Sequence, residues 1–238
     1  MDRYAEVLLM RALILTPDRD SRGRRDYSGA FAPEARAFAQ LHHLPSTSVQ
    51  SIDCTRTAPE RRKHVLESLS RLGAAGPIDL LACFCHGYQT GLQVGFDNSS
   101  VRDLARALVH HGCSPRLRVA LYACSSGGSR GEAGDGGLAD RLRDALCTAG
   151  CVDCVVDAHA TVGHTTRNPY VRRFEGRGSP VGGMGGQWIV APRSPLWQQW
   201  RAALASTDLR LRFPLLELHE VHRELLGPSP ATISIGVT

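Results

Sequence analysis

Lysine is nearly missing from this chain. Of 28 basic residues only Lys63 is a lysine, and the arginines that make up the rest are scattered among 23 carboxylates. No run of five or more basic residues occurs, and aromatic side chains, only 6% of the total, never interleave with basic ones. A surface that tracks a phosphate backbone and stacks bases needs both, so nucleic acid is not an expected partner. Long hydrophobic runs are lacking too. The two longest, around Val7–Leu15 and Asp79–Cys85, fall well short of the roughly 20 residues that cross a bilayer, so no membrane span is expected. The start Met1-Asp2-Arg3 is followed by no apolar signal core. These absences lead us to expect a cytoplasmic protein whose eight cysteines are thiols rather than disulfides.

What is present describes a globular chain. Hydrophobic residues make up 42% and charged residues 21% of 238, enough apolar surface for one large core. Apolar runs alternate with helical stripes and no linker interrupts them, so residues 1–238 read as a single domain. Strands are expected at Val7–Leu15, Val49–Cys54, Ile78–Cys85, Leu117–Cys124, Val152–Ala158 and Gln187–Ala191. Pro33 suits the first turn of a helix carrying Phe38 and Leu41. Thr57-Ala-Pro-Glu60 is a capping box opening another, with Gly73 in place for a left-handed C-terminal cap. Further helices are expected from Ser100 to Gly112, through Leu138 to Gly150, from Ser194-Pro195, and at Pro214. The segment Gly163–Gly186 is rich in glycine and arginine and suggests no element. The pattern predicts an α/β fold, a doubly wound, mainly parallel six-stranded sheet with helices on both faces.

In such sheets chemistry gathers where the strands end at their carboxyl side. One strand here ends in Cys85-His86-Gly87 and another in Ala123-Cys124. If these strands are neighbours, an imidazole and a thiol emerge side by side, the minimum for nucleophilic catalysis. The amides of Gly87 and Cys124 are then available to hold an oxyanion.

A hydrophobic strand ending in His-Gly, followed after a helix by one ending in Ala-Cys, resembles the caspase-like cysteine peptidases. That group includes caspases, metacaspases and bacterial relatives in regulated cell death and antiphage defence. The resemblance is carried by Phe84-Cys-His-Gly87 and Leu121-Tyr-Ala-Cys124. It implies a caspase-like fold, Cys124 as nucleophile, His86 as acid–base, Gly87 in the oxyanion hole, and a protein substrate. That chemistry requires no metal or organic cofactor, although some relatives respond to calcium, and a separate activator or regulator protein is a possible partner. The specificity motifs differ. Tyr122 stands where caspases carry glutamine and metacaspases aspartate, and no arginine occupies the matching position near Tyr27-Ser28-Gly29. A pocket for a basic side chain needs a carboxylate instead, so Asp26 and Asp157 join Tyr122 as candidate substrate-binding residues. A non-catalytic caspase-like interaction module is the alternative, and the presence of both His86 and Cys124 argues against it.

Other residues carry weaker signals. Cys83 and Cys85 read as core packing. Cys113, Cys147, Cys151 and Cys154 lack the paired spacing of a zinc site. His110 and His111 sit where they would complement a helix dipole, while His159 and His164 are placed near the expected site edge. Arg167, Arg172, Arg173 and Arg177 are either solvated or aimed at an acidic partner. The glycine-rich stretch Ser125–Gly137 reads as a solvated loop, the segment most open to proteolysis, or as a mobile activation loop.

Overall fold

A computed structural model describes residues 10–19, 30–163, 167–176 and 185–205. Within them, the apolar runs become strands β1 (Ala12–Pro17), β2 (Val49–Ile52) and β3 (Ile78–Phe84), with β4 (Gly87–Tyr88) and β5 (Gly91–Leu92) forming a small hairpin. The chain continues through β6 (Cys113–Tyr122), β7 (Val155–His159), β8 (Val171–Glu175) and β9 (Gln187–Trp188). The helices are α1 (Phe31–Leu41), α2 (Ala58–Gly73), α3 (Val101–His110), α4 (Leu138–Thr148) and α5 (Pro195–Leu204).

The main sheet has seven strands in the order β2-β1-β3-β6-β7-β8-β9. The pairs from β2 to β7 are parallel, and β8 and β9 run antiparallel. Both faces of the central strands are buried, which is why those strands read as continuous apolar runs rather than alternating ones. One face packs Leu13, Leu81, Val119 and Val156 against Val65, Leu69, Leu104, Leu108, Leu138 and Leu142 of α2, α3 and α4. The other packs Ile14, Leu80, Phe84 and Tyr122 against Phe31, Ala35 and Phe38 of α1. Helix α5 closes a third cluster around Trp197 and Trp200. Doubly wound α/β architecture with helices on both faces is therefore what the chain adopts.

The sheet has one strand more than the sequence suggests. Strand β8 lies inside the stretch assigned no element, because Val-Arg-Arg-Phe-Glu buries Val171 and Phe174 but places two arginines between them. Those arginines are partnered within the fold, and their charge hides the strand. Gly73 is also not a left-handed cap. It is the last residue of α2, and a Cβ there would collide with the carbonyl oxygen of His111, so this glycine permits close approach of two helix ends. The positive φ, +138°, falls at Gly76.

The expected helix starts are otherwise in place. Glu60 Oε2 accepts from the Thr57 amide at 2.8 Å and from its hydroxyl at 2.7 Å, a cap worth about 1 kcal/mol. Ser194 Oγ accepts from the Trp197 amide at the start of α5. Before α3 it is Asp97 that organises the entry, accepting from the Ser99 and Ser100 amides and hydroxyls. These bonds hold its carboxyl at a pKa of about 2. Helices α3 and α4 stop where expected, before Gly112 (φ +82°) and Gly150 (φ +109°). The helix expected at Pro214 and the segment Tyr27-Ser28-Gly29 lie outside the described residues. Among the described residues, no helix is long and apolar enough to cross a membrane.

Candidate functional site

The register of two strands sets the site. Phe84 of β3 pairs with Tyr122 of β6, and the ladder continues with the Cys85 amide donating to the Tyr122 carbonyl at 3.4 Å. His86 and Cys124 each stand two residues beyond that aligned pair, on strands that run parallel about 4.8 Å apart. Both line one cleft of about 510 Å³. His86 is exposed and Cys124 half-buried. The two strands are neighbours, as the sequence reading required, and their ends bring both residues to that cleft.

Each is held by its surroundings. The His86 ring sits edge-on to Phe31 at the start of α1, with centroids 4.8 Å apart, and the His86 amide donates to Gln93 Oε1 at 3.2 Å. The Cys124 thiol donates to the Gly163 carbonyl at 3.4 Å. Three core thiols on this side of the sheet are held in the protonated form. Burial pushes the Cys85 thiol up to about 12 and Cys54 to about 11, and raises Cys83 as well. Cys83 and Cys85 are core residues, as expected.

Gly87 is required by close packing. A Cβ there would lie 2.7 Å from Ala123 Cβ and 2.8 Å from the Cys124 carbonyl oxygen, so any side chain would push the hairpin off the end of β6. Pairing in the hairpin also orients its amide. The Gln93 amide donates to the His86 carbonyl, and Gly87 faces Leu92 across the strands, while the Leu92 amide donates to Phe96. Bonded and non-bonded pairs alternate in an antiparallel ladder, so the Gly87 amide points away from β5.

The hairpin contributes Tyr88, Gln89 and Thr90 to the cleft lining, and Val162 lines it as well. Tyr88 is 66% and Val162 80% exposed. These lining residues were not legible in the sequence. The dipeptide Gln89-Thr90 carries none of the usual hairpin-turn residues, and only the flanking Gly87 and Gly91 hint at it. Among the described residues, His86 is the sole titratable side chain besides the Tyr88 phenol and the Cys124 thiol to line the cleft.

The segment after the cysteine is stitched down rather than free. Ser125 donates from its amide to Thr161 O at 3.1 Å, and Gly127 to His159 O at 2.8 Å. Ser126 is fully buried, with its hydroxyl on the Ala123 carbonyl. Only the tip around Arg130–Glu132 and Asp135 is exposed, which corrects the reading of Ser125–Gly137 as one solvated loop. Ser125 itself has φ +56°, a left-handed conformation that costs a non-glycine residue about 1 kcal/mol or more. Ser125→Gly is therefore expected to raise the melting temperature by roughly 2–4 °C. A lower melting temperature in differential scanning calorimetry would contradict the strained backbone.

Asn168 is a second residue that sequence reasoning missed. It is buried, donates from its side-chain nitrogen to Thr161 O at 3.0 Å, and accepts from the Tyr170 amide. It thereby fixes the loop whose carbonyls engage Ser125 and the Cys124 thiol. A lone asparagine between arginine and proline carried no signal of this.

Two candidate substrate residues do not reach the cleft. Asp157 is buried at 1% exposure and receives two bonds from Arg173, each 2.8 Å, with Arg118 at 3.6 Å. Its charge is spent inside the fold. Tyr122 is fully buried, stacked on Phe84 with centroids 4.4 Å apart, one layer beneath the site. His159 is likewise buried beside the Tyr122 ring and does not form the site edge. Arg172 lies over the Trp188 ring at 4.2 Å, so of the described loop arginines it is Arg167 that is exposed. Asp26, His164 and Arg177 lie outside the described residues.

The chain matches no family model, no curated protein and no solved structure. The reading of this cleft accordingly rests on its own residues.

Proposed function

We propose that this protein is a cysteine endopeptidase of caspase-like type, working through a His86–Cys124 dyad. The observation that carries the reading is the β3–β6 register, which delivers an exposed imidazole and a half-buried thiol to one cleft. The constrained turn at Ser125 and the glycine-only approach of the hairpin support it, since strained backbone and close approach are typical of sites built for chemistry. In the reaction, His86 takes the thiol proton as Cys124 Sγ attacks the scissile carbonyl carbon. The oxyanion forms beside the Gly87 and Cys124 amides. His86 then protonates the leaving amine as the C–N bond breaks, leaving a thioester. Water, deprotonated by His86, attacks the thioester, and the C–S bond breaks to release the acid and the thiol.

The cleft also bears on specificity. Neither an arginine nor a carboxylate lines it among the described residues, and Tyr88 and Val162 supply its large apolar surface. A charged residue at the cut would find no opposite charge among these lining residues, whereas an apolar one would pack on Tyr88 and Val162. The expected substrate is a protein segment with a neutral, mainly apolar residue at the cut. Digestion of a peptide library, read by mass spectrometry, tests both points. Cleavage after residues such as Leu or Met, absent with Cys124→Ala, is the expected result. Strong preference for Asp, Arg or Lys would contradict the neutral cleft, and no cleavage of any peptide would contradict the peptidase reading.

A further inference from the structure

At the far end of β6, roughly 30 Å from the cleft at about 3.3 Å per residue, four cysteines distant in sequence come together. Cys113 opens β6, Cys147 lies in the last turn of α4, and Cys151 and Cys154 sit in the turn before β7. Gly150, with φ +109°, turns the chain so that the Cys151 amide bonds to Leu146 O. Cys151 Sγ then lies 3.6 Å from Ser114 O and 3.8 Å from Pro115 O, against the strand that Cys113 begins. The Cys113 thiol is in hydrogen-bond contact with Cys151, Cys151 with Cys154, and Cys154 with Cys147. Gly176 is wedged beside the last pair, where a Cβ would meet Cys147 Sγ at 2.9 Å and Cys154 Sγ at 3.1 Å.

The contacts form a chain, not a tetrahedron. A four-sulfur metal centre needs every sulfur about 2.3 Å from one point, whereas Cys113 and Cys147 are the two ends of this chain. Among the described residues, no group of three or more metal-ligating side chains converges. Thiols held in pairs are instead arranged for two-electron chemistry with each other.

We propose that Cys113 and Cys151 form a reversible disulfide that locks the start of β6 to the turn between α4 and β7. Hydrogen bonds from Cys113 and Cys154 hold the Cys151 thiol well below its ordinary value, which makes its thiolate the attacking group. The Cys113 thiol, pushed up by donating that bond and by burial, resolves the intermediate. The oxidant is a peroxide. Cys151 thiolate attacks one peroxide oxygen, the O–O bond breaks, and a sulfenic acid and hydroxide result. Cys113 sulfur attacks the Cys151 sulfur, its proton leaves with the displaced hydroxyl as water, and the S–S bond forms. Two thiols and one hydrogen peroxide give one disulfide and two waters. Cys151 is buried and Cys113 half-exposed, so peroxide reaches the Cys151 sulfur from the Cys113 side. This site is independent of the peptidase reading.

Treatment of the folded full-length chain with hydrogen peroxide, alkylation of remaining thiols and peptide mass spectrometry tests the proposal. The expected product is a cross-linked pair of peptides holding Cys113 and Cys151, two hydrogens lighter than the sum, and lost on treatment with dithiothreitol. Cys113→Ser, at a half-exposed position, should abolish that product, and Cys124→Ala should leave it unchanged. Alkylated Cys113 and Cys151 after full peroxide treatment, exclusive pairing of Cys151 with Cys154, or thiols kept from oxidation by one bound equivalent of zinc would each overturn it.

Discussion

Cys124→Ala is expected to lower peptide hydrolysis on the order of 10⁴-fold or more, while the melting temperature stays within about 2 °C of wild type. The nucleophile has no substitute in the cleft, because the nearest core thiols, Cys83 and Cys85, are buried and raised in pKa. The structural cost is small, since Cys124 is only half-buried and, among the described residues, its side chain bonds to the Gly163 carbonyl alone. His86→Ala should be slower by about 10² to 10⁴-fold, also with little loss of stability, because its ring is exposed. Steady-state kinetics on a cleaved library peptide, beside a thermal melt of each variant, separates chemistry from folding. A Cys124→Ala protein that unfolds would point to a packing role, and one that retains full activity would remove Cys124 from the mechanism.

The second large effect concerns stability. Asp157→Ala is expected to destabilise the fold by about 3–5 kcal/mol, the usual cost of stranding the partner of a buried ion pair. Arg173 would keep its charge at 16% side-chain exposure, with Arg118 nearby at 33%. Burial works against the Arg173 charge, and its two bonds to Asp157 outweigh that. In a chain of this size the loss corresponds to roughly 10 °C in melting temperature. Urea unfolding measures it directly. Loss of activity without loss of stability would restore Asp157 to the substrate site and contradict the buried pair.

Asp157 also marks where sequence reading stopped. The position of this carboxylate at a strand end was legible, but its partner was not, because Arg173 lies on a strand that the sequence hides. Val171–Glu175 reads as polar only until Asp157 is placed opposite Arg173 in an antiparallel register. The central strands were legible for the opposite reason. Burial on both faces demands uninterrupted apolar runs, and those runs end visibly at His86 and Cys124. Capping was legible at Thr57 and Ser194, where side chains announce the turn, and misplaced at Gly73, where packing against His111 rather than backbone conformation requires the glycine. Ser125 and Asn168 illustrate the remaining gap. A left-handed serine and a buried asparagine are set by tertiary contacts, and neither residue type signals such a role on its own. The four-thiol chain shows the same limit, since Cys113 joins the other three only through the pairing of β6 with β7.

Covalent capture tests the dyad most directly. The protein is incubated with a peptide carrying an electrophilic carbonyl at the position of the cut, and the site and rate of adduct formation are read by mass spectrometry. The account predicts a single adduct on Cys124, formed in wild type at least about 10²-fold faster than in His86→Ala and absent in Cys124→Ala. An adduct on another cysteine, or a Cys124 rate unchanged by removal of His86, would contradict it.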